Sequence, residues 1–342
     1  MEILKIKITE KIENLEKIEK NISKLLEKSE YNPIWQSIKW NLMLQKTDYI
    51  EAGFFIGVYE KNDLQNYIII EKRSIGAGFF AFFILGGPAN NYKIKELENE
   101  IILLGKEENV IYIQIEPLEN DIIFEGFKDI KLKKIIEKCT VLIDLEKSEQ
   151  DILALMKQKG RYNIKIAEKN DIKIEEALNN KQNLEIFYNL LKETNLRDNF
   201  NINSLSYFKN FLNYLYENNL GGLYFAKKGN IVIASGIFVF YGKTAYYYYG
   251  ASTGDNNFRK YMATYLLQWE MIVEAKKRGC TLYDFLGIAC KEDRKSHLTG
   301  VSDFKLKLSQ NIKKWPNVEV YINKKAIFFL FFLKNKIRNF LK

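Results

Sequence analysis

The sequence predicts an α/β protein made of two units of similar grammar. Three observations lead there. Strand-like apolar runs alternate with segments whose apolar residues recur every third or fourth position. Glycine-bearing turns punctuate that alternation, and the same pattern starts again near residue 146. The length of 342 residues exceeds what one ordinary compact core holds.

The elements follow in order. Ile8, Ile12, Leu15, Ile18, Ile22 and Leu25 recur at helical spacing and predict an amphipathic helix over 8–26. Tyr31-Asn32-Pro33 breaks it, and a short helix over 35–45 carries Trp40. Strands are expected at 53–59, 67–72 and 79–85, stopped by Gly86-Gly87-Pro88. A helix over 94–106 and strands at 110–115 and 140–145 complete the first unit. In the second, helices are expected at 149–156, 182–194 and 205–217. Strands follow at 222–226, 231–240 and 244–249, with Lys228-Gly229-Asn230 as a hairpin turn. A long helix over 259–278 ends at Gly279, followed by a strand at 281–285. A strand at 317–322 and a last helix return to the first unit. The domains are therefore expected at 1–145 with 314–342, and at 146–313.

Composition excludes several chemistries. Aromatic residues make up 14% of the chain, enough for cores and for sugar or base contacts. His297, Cys139, Cys280 and Cys290 have no usual zinc spacing, and a Ser-His or Cys-His pair would rest on His297 alone. No metal and no cofactor is expected. The cysteines lack CxxC spacing, which predicts a reducing compartment and no disulfide framework. Neither a signal peptide nor a membrane-spanning run is expected.

The net charge is +9, and nearly all of the excess lies in residues 303–342. A confined positive field favours nucleic acid, anionic lipid or pyrophosphate. The final apolar run, Ala326 to Leu333, precedes Lys334, Lys336, Arg338 and Lys342. That pattern suits either a helix at a membrane interface or a helix docked on a core.

Several strings in order resemble one family. They are Lys157 to Lys169 (with Arg161, Asn163, Lys165 and Ala167), Glu193-Thr194 to Arg197-Asp198, Tyr246 to Ser252, Tyr283-Asp284-Phe285 with Gly287, and Phe304-Lys305. Gln36-Ser37 with Trp40, and Gly87-Pro88, stand at the matching places upstream. Each string is weak alone. Together, over residues 34–322, they resemble the FemABX family of peptidoglycan bridge-forming aminoacyltransferases. The resemblance implies two GNAT-like domains packed side by side. The short interval from Asp284 to Phe304 implies the compact type without a coiled-coil arm.

The resemblance further implies transfer of an amino acid from aminoacyl-tRNA to a stem-peptide amine. The acceptor would be lipid II or UDP-MurNAc-pentapeptide, and the setting cytoplasmic; the apolar and basic pattern of 326–342, read by itself, adds an expected peripheral contact with an anionic membrane surface. It implies that the Lys305 ammonium lies open beside the aminoacyl end. A well-placed charge of this kind lowers a barrier by about 3 kcal/mol. Glu116 corresponds to an acid that orients the acceptor amine or takes its proton. Trp40, Lys46, Arg197, Tyr207, Tyr249 and Phe304 are the implied substrate-binding residues. Alternation along the tyrosine run puts Tyr247 and Tyr249 on one face. Arg161, Lys165 and Lys169 share a helix face and are expected to meet tRNA phosphates or lipid headgroups. Leu44 and Asn203 stand where family members carry basic residues, so either the acceptor pyrophosphate is held differently, by Arg197 or Lys46, or the acceptor is not the same nucleotide- or lipid-linked precursor. The alternatives are a GNAT-like N-acyltransferase using another carrier, and a non-catalytic tRNA- or membrane-binding relative.

Overall fold

The computed structural model describes residues 1–11, 15–198, 200–292 and 298–340. His297 lies outside the described residues. Two compact units emerge. Unit 1 comprises Met1–Lys28, Pro33–Ile136 and Trp315–Lys342, and unit 2 comprises Ser29–Asn32 and Glu137–Lys314.

Unit 1 opens with β1 (Glu2–Ile8), α1 (Leu15–Leu26), α2 (Ile38–Lys46), β2 (Ala52–Glu60), β3 (Asp63–Gly76) and β4 (Phe79–Leu85). It continues with α3 (Ile94–Glu107), β5 (Tyr112–Glu116) and β6 (Lys128–Asp129). Unit 2 carries β7 (Cys139–Asp144), α4 (Glu149–Leu155), α5 (Gln158–Lys169), β8 (Ile172–Glu176), α6 (Lys181–Asp198) and α7 (Leu205–Glu217). Next come β9 (Gly221–Lys228), β10 (Ile231–Tyr241), β11 (Thr244–Ser252), α8 (Asn256–Arg259) and α9 (Ala263–Lys277). The unit ends with β12 (Leu282–Ile288), α10 (Thr299–Leu308) and β13 (Asn311–Lys314). The chain then returns to unit 1 for β14 (Glu319–Ile322) and α11 (Lys325–Phe340).

The unit 1 sheet runs β1-β2-β3-β4-β5-β14-β6 among the described residues. Its pairs are antiparallel except β4 with β5. Alternate residues Phe54, Ile56, Ile68, Ile70, Phe82 and Ile84 form one apolar face, against which α3 buries Leu97, Ile101 and Leu104. The helix expected from residue 8 starts at Leu15 instead. Leu4, Ile6 and Ile8 alternate with Lys5 and Lys7, and this stretch pairs with β2 as an edge strand.

The unit 2 sheet runs β13-β7-β12-β11-β10-β9-β8, with β11 and β12 its parallel pair. The sequence expectation places β7 with the first unit, yet its partners are β12 and β13. α9 packs Leu266, Leu267, Met271 and Ile272 onto this sheet. The long helix expected from 259 is broken at Met262, which takes a left-handed backbone between α8 and α9. Gly279, at φ 82°, ends α9 where a left-handed residue is needed.

The cysteine expectation is corrected. Cys139 and Cys290 form a disulfide across 151 residues, because β7 pairs with the end of β12. The basis for assigning a reducing compartment falls with it. Cys280 is free and buried, and burial pushes its thiol up to about 11. Between β12 and α10 only residues 289–298 intervene, too few for a helical arm at that point. Among the described residues, no helix is long and apolar enough to cross a membrane.

Candidate functional site

In unit 2, β11 and β12 pair only over Thr244–Tyr246 and Leu282–Asp284, then continue without further register. Each strand carries the local feature that bends it away. In β11, Tyr249 and Tyr247 oppose the consecutive residues Ile237 and Phe238, so Tyr248 is an extra residue and forms a bulge. In β12, the register with β7 shifts between Asp284 and Gly287, and Leu286 lies at φ 57°.

Lys305, in the last turn of α10, fills the place where the strands part. Its Nζ donates to the carbonyls of Gly287 at 2.8 Å and Leu286 at 3.3 Å. The residue is only 6% exposed. Burial draws its ammonium down to about 8, against the pull of Asp284 and Glu137. This corrects the expectation of an open ammonium. The side chain satisfies β12 carbonyls where β11 no longer runs alongside.

Asp284 anchors the same spot and is buried. It accepts hydrogen bonds from the Tyr31 hydroxyl at 2.6 Å, the Leu286 amide at 2.7 Å and the Thr140 hydroxyl. Burial nevertheless raises its pKa. The Tyr31 segment is fixed in turn by Asn32, whose amide donates to the Thr244 hydroxyl and whose side chain accepts from the Lys243 amide. Tyr247 packs on Phe238 and Phe285, its ring 6.0 Å from the Lys305 Nζ. Its hydroxyl lies over Gly250, where an added Cβ would come within 1.6 Å of that oxygen.

The bulge separates the tyrosines. Tyr248 and Tyr249 both contact Phe211 of α7, whereas Tyr247 faces Lys305, so the expected shared face of Tyr247 and Tyr249 is not formed. Tyr249 instead joins a second polar group. Its hydroxyl lies 3.3 Å from that of Tyr207 and accepts from Asn203 at 3.4 Å. Phe304 stacks edgewise on Tyr265 within the core of unit 2.

The other expected residues fall into distinct settings. Glu116 is fully buried and accepts from Gln114 and from the Ile135 and Ile136 amides. Burial raises its pKa. It braces the 135–136 backbone and is not an open base, which corrects the sequence expectation. Trp40 is 1% exposed in the unit 1 core and presents no face to a ligand, a second correction. The string around it has a structural role. Ser37 caps α2 by accepting from the Trp40 amide. Gln36 bridges Ile69 and Leu85 and lies against Gly87, whose peptide bond to Pro88 is cis. Leu44 is core, so a basic side chain there would be buried.

Lys46 ends α2 and pairs with Glu10 at 2.7 Å. Arg197 grips Asp198 through two hydrogen bonds and has no bond to Asp284. On α5, Lys165 and Lys169 are exposed, but Arg161 donates to the carbonyls of Ala154 and Met156 at the end of α4. The arginine thus closes that helix end, while the two lysines remain on an open face. The sequence reading missed Tyr31, Thr140 and Glu137. The Tyr283-Asp284 string was visible, but its partners stand 253 and 144 positions away.

Comparison with known proteins places this arrangement. The model of the FemAB family matches residues 121–227 and 220–327, more than half of the chain. A lipid II:glycine glycyltransferase of Staphylococcus epidermidis is 24% identical over 243 residues, covering 53% of this chain and 58% of that protein. The chain thus spans well under two thirds of that relative. Among solved structures, FemX superposes with a TM-score of 0.81 at 19% identity, covering 96% of this chain and 99% of that one. A tandem GNAT protein from the clavulanic acid biosynthesis pathway reaches 0.52 at 8% identity, covering 94% and 99%. The fold is therefore the paired GNAT-like fold, and with the family match running through both halves of unit 2 and into β14, the chain belongs to the FemAB family.

Proposed function

We propose that the protein is an aminoacyltransferase that moves an amino acid from aminoacyl-tRNA to the stem-peptide amine of a peptidoglycan precursor, lipid- or nucleotide-linked. The observation that carries this reading is the FemAB family match over residues 121–227 and 220–327. Family membership and the named activity of the Staphylococcus epidermidis relative support the same reaction class.

The chemistry is modest. The donor ester is already activated. The acceptor amine forms a bond to the carbonyl carbon, the bond to the ribose oxygen breaks, and the amine proton leaves with the ribose hydroxyl. The barrier lies in charge at the acyl centre and in alignment of the two substrates. Lys305 spends two of its three ammonium hydrogens on β12 carbonyls. The third is the one left for the oxyanion or the departing oxygen, at a residue that the fold leaves only 6% exposed.

In this reading, Asn203, Tyr207 and Tyr249 form a neutral polar rim for the acceptor. The exposed Lys165 and Lys169 meet tRNA phosphates, and Arg197 and Lys46 reach an acceptor phosphate by exchanging their Asp198 and Glu10 partners for it. A charged-tRNA donor places the reaction on the cytoplasmic side of the membrane.

The test incubates the protein with mixed charged tRNAs and either form of precursor, then weighs the acceptor. A mass gain of one or more amino-acid residues, dependent on charged tRNA, is expected. A product formed from acyl-CoA instead, or no product with either precursor, overturns the reading.

A further inference from the structure

We propose that α11 is an interfacial helix that seats the protein on an anionic lipid surface. The helix is fixed to unit 1 along one side. Phe328 is buried, its ring edge-on to Tyr112 at 5.5 Å, and Phe332 stacks beside it at 6.1 Å. Ala326 and Leu330 lie across the axis from Phe328, and Phe329, whose ring meets that of Phe328 edge-on at 5.8 Å, stands at the flank between the two sides. Phe329 is 60% exposed and Leu330 69%.

An apolar strip of large side chains facing water is unusual unless something covers it. Charge decides what covers it. Residues 325–342 hold five Lys or Arg and no acid. A second copy of this helix would bring those cations together. An anionic bilayer satisfies both features, taking the apolar strip below its headgroups and the cations among its phosphates. With one face docked by Phe328 and the other outward, the helix lies along the surface and does not cross the bilayer.

This inference goes beyond the transferase reading, and its test uses vesicles without any peptidoglycan precursor. The full chain is floated with vesicles containing about one third phosphatidylglycerol and with pure phosphatidylcholine. Binding is expected to be roughly 10-fold tighter to the anionic vesicles, and weaker as salt rises. Phe329→Glu with Leu330→Glu, at exposed positions, keeps the thermal midpoint and lowers vesicle binding at least ~10-fold. Absence of anionic-vesicle binding by the unaltered protein overturns the proposal. So does binding that the double substitution leaves unchanged. A dimer in light scattering that the substitution dissolves, without vesicle binding, assigns the face to a second copy and also overturns it. Transfer to a water-soluble nucleotide-linked acceptor, measured in parallel, reports the enzymatic reading separately.

Discussion

In the proposed reaction, Lys305 is the residue on which the chemistry turns. An ammonium buried on two carbonyls is charged below its lowered pKa, about 8, and loses its proton above it. If the charged form stabilises the acyl centre, the transfer rate falls as pH rises through about 8. Lys305→Gln should lower transfer roughly 100-fold and remove that falling limb, as single-turnover rates across pH will show. The linked stability effect has the opposite sense. Because the folded state binds its proton less tightly than the unfolded state, stability rises from pH 8 toward the ordinary lysine value. Glu116 makes a contrasting case, since its carboxylate bonds two backbone amides. Glu116→Gln turns an amide group toward donors and should cost about 1–3 kcal/mol in urea unfolding. Transfer per folded molecule should hardly change. A large loss of rate at unchanged stability would return Glu116 to the catalytic machinery.

At the scale of elements, the geometry of the proposed site comes from two irregularities in otherwise regular strands. The Tyr248 bulge in β11 and the left-handed Leu286 in β12 open a parallel pair that would otherwise close its ladder. Gly250 lets the Tyr247 ring lie flat along β11 beside Lys305. Gly250→Ala drives a methyl into the Tyr247 hydroxyl. Transfer should fall about 10-fold or more, with a stability loss of about 1–3 kcal/mol. An unaltered rate would show that Tyr247 placement does not matter. In unit 1, Ser37→Ala removes the α2 cap and should lower stability by about 1 kcal/mol. Denaturant midpoints will register it, and no effect would mean that packing of Trp40 alone fixes that helix end.

At the scale of the whole molecule, the disulfide matters most. Cys139–Cys290 ties β7 to the chain just beyond β12, next to the backbone that Lys305 holds. A bond closing so long a loop contributes about 2–4 kcal/mol in the usual range. Cys139→Ser should therefore lower the denaturant midpoint in oxidising buffer and leave it unchanged in reducing buffer. A variant equal to the parent in both would show that the bond does not form in solution. The chain-wide charge pattern has a local meaning too, since the excess cation density falls largely on α10, β13 and α11.

The sequence by itself determined the α/β grammar, most strands and helices of both units, and the family. Those follow from local periodicity and from short strings, and local signals survive without knowledge of the partners. It also held the alternation in residues 2–8, which the stronger helical spacing downstream overrode. Which polar residues work in the open, and which only hold the chain together, was decided by tertiary structure. Burial of Trp40 and Glu116, the capture of Arg161 by the end of α4, and the meeting of Tyr31, Thr140, Asp284 and Lys305 all depend on contacts between distant segments. A side chain's solvation and hydrogen-bond partners set its charge and reach, and no spacing along the chain encodes them.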